Sequence, residues 1–397
     1  MVKFRDICTK IGSGATPKGG KEAYCEEGIT LIRSQNVLDF SFSENGLAYI
    51  NDEQADKLKN VTVEDMDVLI NITGDSVART CMVDKKYLPA RVNQHVCIVR
   101  ANQEKVVPSY LLYILQQKKN YLLQMASGGA TRNALTKDMI CELEVELPSI
   151  AEQRKIVAIL DDIQEKIKLN AQINNNLEQQ TQTLFREWFV KFDPFGGHVP
   201  MDWTTHTLGE VCSCELGGTP SRNKAEYWDG TIPWINSGEV NLFRIIKPSE
   251  YITELGLEKS ATKLLPKKTT VLAITGATLG QISLLEIASC ANQSVVGVIP
   301  NDDMPYEFIY PLIKENINEL LAHQTGGAQQ HINKQNIESL KITIPSPPIM
   351  NAYTNIVAPL YERIANNCFE NERLIELRDI LLPKLISGEL DVSKIDI

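Results

Sequence analysis

Long apolar runs are missing from this chain. No window of about 18 residues is apolar enough to span a bilayer, and the opening residues Met1 to Gly14 lack the apolar core of a secretory signal. Neither an integral membrane protein nor an exported one is expected, and the expected location is cytoplasmic. Cys-x-x-Cys pairs are also missing. The nine cysteines (Cys8, Cys25, Cys81, Cys97, Cys141, Cys212, Cys214, Cys290 and Cys368) are scattered and odd in number. That pattern predicts free thiols in a reducing compartment rather than a disulfide framework. Cys212 and Cys214 would share a face of a strand, but no histidine stands at metal-ligand spacing from them. The five histidines, His95, His198, His206, His323 and His331, lie far apart, so no metal site is expected. There is no G-x-x-x-x-G-K-[ST] loop to cradle a nucleotide triphosphate. The nearest approach to an amino-methyltransferase motif, Asp193-Pro194-Phe195-Gly196, lacks the second proline and reads as a turn. No catalytic residues are assigned.

Positive charge is in short supply as well. With 40 Lys+Arg against 50 Asp+Glu, the formal net charge is −10. Such a chain does not hold a polyanion non-specifically. The deficit is uneven: residues 1–150 carry 18 basic and 19 acidic side chains, and residues 194–345 carry 11 and 16. A local basic face can still meet nucleic acid.

What the sequence does contain is a repeat with a period of about 200 residues. Gly14-Ala15-Thr16-Pro17 recurs as Gly217-Gly218-Thr219-Pro220. Gly28 to Ser34 recurs as Gly230 to Ser237, and Leu69-Ile70-Asn71-Ile72-Thr73-Gly74 as Leu272-Ala273-Ile274-Thr275-Gly276. Asn93-Gln94 recurs as Asn292-Gln293, and Ser127-Gly128-Gly129-Ala130 as Thr325-Gly326-Gly327-Ala328. Five matches in the same order indicate a duplicated unit. Each copy opens with short β-branched runs, such as Val68 to Ile72 and Val295 to Ile299, punctuated by Gly, Asn and Pro. A short helix is expected in each, Tyr110 to Leu123 and Phe308 to Leu321. Each copy is thus a mixed α+β domain.

Each copy closes with a long helix. Ile156, Leu160, Ile163, Ile167, Asn170, Asn174, Leu177, Thr181, Leu184 and Trp188 step by four and three. So do Val357, Leu360, Ile364, Asn367, Asn371, Leu374, Arg378, Leu381 and Leu385. This is a coiled-coil seam. At about 38 residues and 1.5 Å each, the helices are about 57 Å long. Pro148 and Pro347-Pro348 mark their starts; Pro359 delays and Pro383 kinks the second. Asn170, Asn174, Asn367 and Asn371 interrupt the two seams near their midpoints, where seam asparagines set coiled-coil register. Exposure to solvent is the alternative. The asparagines alone leave direction open; pseudo-twofold pairing of tandem copies favours antiparallel.

These residues together resemble the specificity (S) subunits of type I restriction-modification systems. The resemblance rests on Leu147-Pro148-Ser149-Ile150-Ala151-Glu152-Gln153-Arg154-Lys155-Ile156-Val157, a proline-led helix start, and on Leu184 to Phe189 and Leu381 to Leu390 as helix ends. Gly217 to Ser221 with Tyr227-Trp228 and Ile232-Pro233-Trp234-Ile235 resembles the opening of a recognition domain. The chain departs from the pattern at Pro347 to Ala352, which lacks the Glu-Gln, and in the first copy, which lacks the tryptophans. The resemblance implies an α+β fold with two tandem target recognition domains of mixed α/β structure, separated by two long helices packed as an antiparallel coiled coil. The implied layout is recognition domain 1 at residues 1–147, a central spacer helix at 148–192, recognition domain 2 at 193–345, and a distal spacer helix and tail at 346–397. It implies double-stranded DNA as ligand, two methylation subunits and restriction subunits as partners, and no cofactor in this chain. S-adenosylmethionine and ATP would sit on the partners.

Reading DNA requires Arg, Lys, Asn, Gln and hydroxyl side chains at base edges and phosphates. The repeat supplies them at matching places. Thr16, Pro17 and Lys18 answer to Thr219, Pro220 and Ser221, followed by Arg222. Arg33, Ser34, Gln35 and Asn36 answer to Asn236 and Ser237 with their neighbours. Asn93 and Gln94 answer to Asn292 and Gln293. Thr131 and Arg132 follow one Gly-Gly-Ala; Gln329, Gln330 and His331 follow the other. Arg79 follows the first Thr-Gly loop. Each is a candidate DNA contact, and each also suits a capped turn or an ordinary solvated loop. Two unlike recognition domains predict a bipartite, asymmetric target whose unread spacer is set by helix length. A coiled-coil scaffold without nucleic acid is the alternative of another class; a stand-alone enzyme is disfavoured by the missing motifs.

Overall fold

The computed structural model describes residues 1–127, 133–322 and 331–393. The chain folds into two compact units, Met1–Ile167 with Leu374–Ile397, and Lys168–Arg373. Two continuous helices of 40 residues, Ile150–Phe189 and Pro347–Ile386, each contribute one part to each unit. Pro359 and Pro383 are absorbed without ending the second helix. No helix among the described residues is long and apolar enough to cross a membrane.

The first unit contains two four-stranded sheets and a short pair. In one sheet Cys8–Ser13, Val96–Ala101, Val68–Asn71 and Thr80–Met82 lie side by side, all antiparallel. In the other the order is Ala48–Ile50, Ile29–Ile32, Ala90–Val92 and Thr62–Val63, with a parallel pairing of Thr30 to Ala90 at its centre. Alternation along the shared strands sends Val68, Ile70, Cys97 and Val99 into one core and Leu69, Val96 and Ile98 into another. The first core also takes in Tyr110, Leu111 and Ile114 and then the helix residues Ile156, Leu160, Leu382 and Leu385.

The second unit repeats this plan. Ser213–Leu216, Val295–Ile299, Thr270–Ala273 and Ile282–Leu284 form the antiparallel sheet. Trp228–Ile235 pairs antiparallel with Glu250–Ile252 and parallel with Cys290–Ala291. The duplication seen in sequence is therefore a duplication of strand order and direction in the antiparallel sheet and in three strands of the mixed sheet, which among the described residues of this unit has no counterpart to the strand Thr62–Val63. Phe185 from one long helix and Tyr353, Val357 and Tyr361 from the other close this unit's core.

Within each unit the two helix segments run antiparallel. In the first, Lys155 near the start of one helix donates to the carbonyls of Val392 and Ser393, past the end of the other, while Arg378 donates to Gln164. In the second, Asn170 pairs with Asn371 and Asn174 with Asn367, while Phe185 meets Tyr353.

Two sequence expectations need correction. The short helix of each copy is two helices, Pro108–Gln117 with Lys119–Ser127, and Tyr306–Glu315 with Ile317–Ala322. The breaks fall at Lys118 and at Asn316, whose side-chain amide donates to the Leu312 carbonyl and so competes with the helix ladder. The seam also departs from expectation at two positions after Asn174, with Thr181 between them buried as expected. Glu178 and Phe185 are buried, whereas Leu177 and Leu184 are only half-buried. Periodicity favoured the leucines, but a buried carboxylate is tolerated because a cation from the same unit meets it.

Candidate nucleic-acid interface

The repeated motifs meet at one cluster of loops in each unit, and backbone hydrogen bonds hold them there. In the first unit Gly14 N–H donates to the Val96 carbonyl, Ala15 to Val92, Asn93 to Ile32, Ile72 to His95 and Leu135 to Ile72. In the second, Gly217 donates to Val295, Gly218 to Ala291, Asn292 to Ile235, Ile274 to Ser294 and Ile332 to Ile274. Motifs up to about 120 residues apart in each copy converge on a single face.

Gly14 and Gly217 are required by this convergence. A Cβ on Gly14 would lie 2.2 Å from the Asn93 carbonyl oxygen, and one on Gly217 would lie 2.1 Å from that of Asn292. Asn93 and Asn292 then cap the turns that carry the glutamines: Asn93 Oδ1 accepts from His95 N–H at 3.1 Å, and Asn292 Oδ1 accepts from Ser294 N–H at 3.0 Å. Gln94 and Gln293 project outward and are exposed. Gln94 Nε2 stands 3.1 Å from His95 Nε2, and His95 Nδ1 is 2.6 Å from Thr73 Oγ1. Gln293 pairs with the Thr219 hydroxyl.

The other candidate residues sort by exposure. Thr16 and Lys18 are exposed, while Pro17 is buried beneath them. Arg33 is half-buried and donates to the Gly46 carbonyl. Ser34 is half-buried, and its carbonyl accepts from the Asn71 amide at 2.8 Å. Asn36 is fully buried: its Oδ1 accepts from Arg33 N–H, and its Nδ2 donates to the carbonyls of Ser43 and Asn45. That side chain shapes the loop. Arg79 is half-buried and makes no ion pair among the described residues.

In the second unit Thr219 and Ser221 are exposed. Arg222 stacks 3.6 Å from the centroid of the Trp228 ring and forks onto Glu250. Asn236 Oδ1 accepts from Gly238 N–H at 2.7 Å, and Ser237 beside it is half-buried. His331 is exposed, and its segment bridges to Thr275. Thr131, Arg132, Gln329 and Gln330 lie outside the described residues. Trp228, half-buried beneath Arg222, packs 5.2 Å from the buried Trp234 of the core.

On the helices, Asn174 Oδ1 accepts from Asn367 Nδ2 at 2.8 Å, and Asn174 Nδ2 donates to the Ile364 carbonyl at 3.3 Å. Asn170 Nδ2 donates to Asn371 Oδ1 at 2.9 Å and to Glu370 at 2.7 Å. The four asparagines are therefore paired across the helices.

Among the described residues no group of three or more His, Cys, Asp or Glu is placed to hold a metal. Burial pushes the Cys212 and Cys214 thiols up to about 12, which leaves them unreactive. The network missed in sequence joins Glu178, Arg244 and Lys314. Burial alone would raise the Glu178 carboxyl, but the Arg244 and Lys314 charges outweigh it and hold the carboxyl below its ordinary range. No local pattern foretells this pairing, because Glu178 and Arg244 meet only in the folded chain.

The type I restriction modification DNA specificity domain matches residues 1–179 and again 200–376. The chain is 24% identical to the Type I restriction enzyme HindI specificity subunit of Haemophilus influenzae, over 91% of this chain and 94% of that one. It is 28% identical to the MjaIX specificity subunit of Methanocaldococcus jannaschii, over 74% and 71%. In fold it is similar to the crystal structure of the type I restriction-modification S subunit from M. genitalium, with a TM-score of 0.59, 16% identity, and coverage of 97% of this chain and 95% of that one. Two matched repeats, duplicated down to the loop clusters and each joined to a long helix, show that this chain belongs to the type I restriction-modification DNA specificity family, a recognition subunit rather than a catalyst.

Proposed function

We propose that the chain reads a bipartite, asymmetric DNA target, one half-site per loop cluster. The observation that carries this reading is the pair of clusters itself. Strand order, glycine contacts and Asn-capped turns are duplicated, whereas the exposed side chains differ. Beside the shared glutamines Gln94 and Gln293, one cluster exposes Lys18 next to a half-buried Arg79, while the other exposes Ser221 and Arg222 over a half-buried Trp228. Scaffold duplication with divergent tips suits two readers of unlike sequence. The spacer between half-sites follows from helix length: 40 residues at 1.5 Å make about 60 Å, enough for an offset of one DNA turn, about 34 Å.

Catalysis then belongs to partners. Two methylation subunits carrying S-adenosylmethionine dock along the helices, and restriction subunits carrying ATP join them; this chain carries no cofactor of its own. The acidic balance, −10 overall, fits a subunit whose DNA affinity is shared with basic faces of such partners. Methylome sequencing with and without the gene tests the reading. The expected result is loss of one methylated, two-part asymmetric motif. A motif that is continuous or palindromic, or an unchanged methylome, refutes it.

A further inference from the structure

The part of each long helix on which a recognition lobe sits carries a buried charge, and the two charges are opposite. The seam asparagines, Asn170 and Asn174 in one helix and Asn367 and Asn371 in the other, put Arg378 at the place of Thr181, about one helical turn beyond Glu178 on the same face. Likewise Ser34, Val37 and Phe40 match Ser237, Val240 and Phe243.

In the second unit the helix supplies the anion. Arg244 Nη2 donates to Glu178 Oε2 at 2.6 Å, and its Nη1 donates to the Phe243 carbonyl at 2.7 Å and to Tyr310 OH at 3.1 Å. Lys314 holds the other Glu178 oxygen at 2.7 Å. Glu286 stands behind, 3.9 Å from Arg244 and 2.6 Å from Lys268. In the first unit the helix supplies the cation. The Arg378 guanidinium lies 3.9 Å from the Phe40 ring centroid and donates to Gln164 at 3.1 Å and to Asp379. Phe40 in turn lies 6.2 Å from Tyr113, whose hydroxyl donates to Asp161 at 2.6 Å. The aromatic residue is kept in both copies, while the cation belongs to the lobe in one and to the helix in the other.

We infer that Glu178 with Arg244, and Arg378 with Phe40, are positioning residues of DNA recognition: each pair fixes the angle of one lobe on its own helix segment, and so the half-site spacing the complex accepts. This rests on the bipartite reading above. Three points carry it. A buried ion pair adds little stability over apolar packing of the same volume, but its fork admits only a narrow range of geometries. Each contact also shares a short segment with a recognition loop, Asn36 to Phe40 in one copy and Asn236 to Arg244 in the other, so rotation at the contact moves the loop. Finally, the reversed polarity ties each lobe to its own segment. Arg244 brought against Arg378 would set cation on cation and leave Glu178 buried without its Arg244 partner.

The test uses the full chain assembled with its methylation subunits, on DNA targets with the native spacer or with one base pair more or fewer. The wild type is expected to methylate only the native spacer. Glu178→Gln and Arg378→Met are each expected to raise the off-spacer rate, relative to the native spacer, by about tenfold. Arg378→Lys, which keeps the charge but loses the flat stacking face, is expected to behave like Arg378→Met. Arg378→Met strands no buried carboxylate and decides the matter if Glu178→Gln does not fold. A uniform fall in rate at every spacer, with the ratio unchanged, overturns the inference and leaves a merely structural contact. A wild type with no spacer preference overturns the bipartite reading instead.

Discussion

Replacing Asn174 by Ala tests whether the buried asparagines act as a pair. Both Asn174 and Asn367 are almost wholly buried, at 3% and 1% exposure. Asn367 Nδ2 donates to Asn174 Oδ1 at 2.8 Å. Truncation strands that donor in a place water does not reach, at a cost of about 1–3 kcal/mol. It also removes the Asn174 donors to the Ile364 carbonyl and Cys368 Sγ. Alanine's better helix propensity returns about 0.5 kcal/mol. The net loss is about 2 kcal/mol, or about 4–8 °C in the unfolding transition of a unit this size. Removing both partners behaves differently. Asn174→Leu with Asn367→Leu leaves no stranded group, so the double variant should melt near the wild type or above it. The test is a double-mutant cycle read by calorimetry on the two leucine singles and the double. If the double loses the sum of the two single losses, the asparagines are independent and the pairing argument fails.

Three further outcomes follow from the structure. Inserting four residues after the exposed Gln180 lengthens that helix by about 6 Å, and methylome sequencing should show a spacer longer by one or two base pairs; an unchanged spacer refutes the helix-length rule. Gly14→Ala and Gly217→Ala each place a methyl about 2 Å from backbone oxygens, so each should destabilise its unit by about 2 kcal/mol or more, visible as a lower melting temperature, whereas Gly12→Ala meets nothing within 4 Å and should not. Because the Glu178 carboxyl is held below its ordinary value, its contribution to stability is present above its unfolded pKa of about 4.5 and is lost as pH falls through the lower folded value. Denaturation from pH 7 to pH 3 should therefore show a shallower acid loss in Glu178→Gln than in the wild type.

Much of this molecule was legible as one-dimensional pattern. The ordered matches from Gly14-Ala15-Thr16-Pro17 to the second Gly-Gly-Ala revealed the duplication, because a repeated scaffold must repeat the glycines and capping asparagines its close contacts demand. The steps of four and three from Ile156 to Trp188 revealed a long helix with one buried stripe, because helical periodicity is local. The asparagines were visible as interruptions of that stripe. What pattern could not show was which polar residues point outward: Asn36 and Asn93 looked like readers and are buried in their own loops, while Gln94 beside them is exposed. Nor could it show that Glu178 would displace Leu177 in the helix interior, since an isolated buried carboxylate is forbidden and only Arg244 and Lys314 make it acceptable. Sequence thus determined what depends on neighbours along the chain: the repeat, the strands and the helix stripe. The folded structure decided what depends on partners distant along it, because the energy of a buried polar group is set by whatever charge or donor the fold brings to meet it.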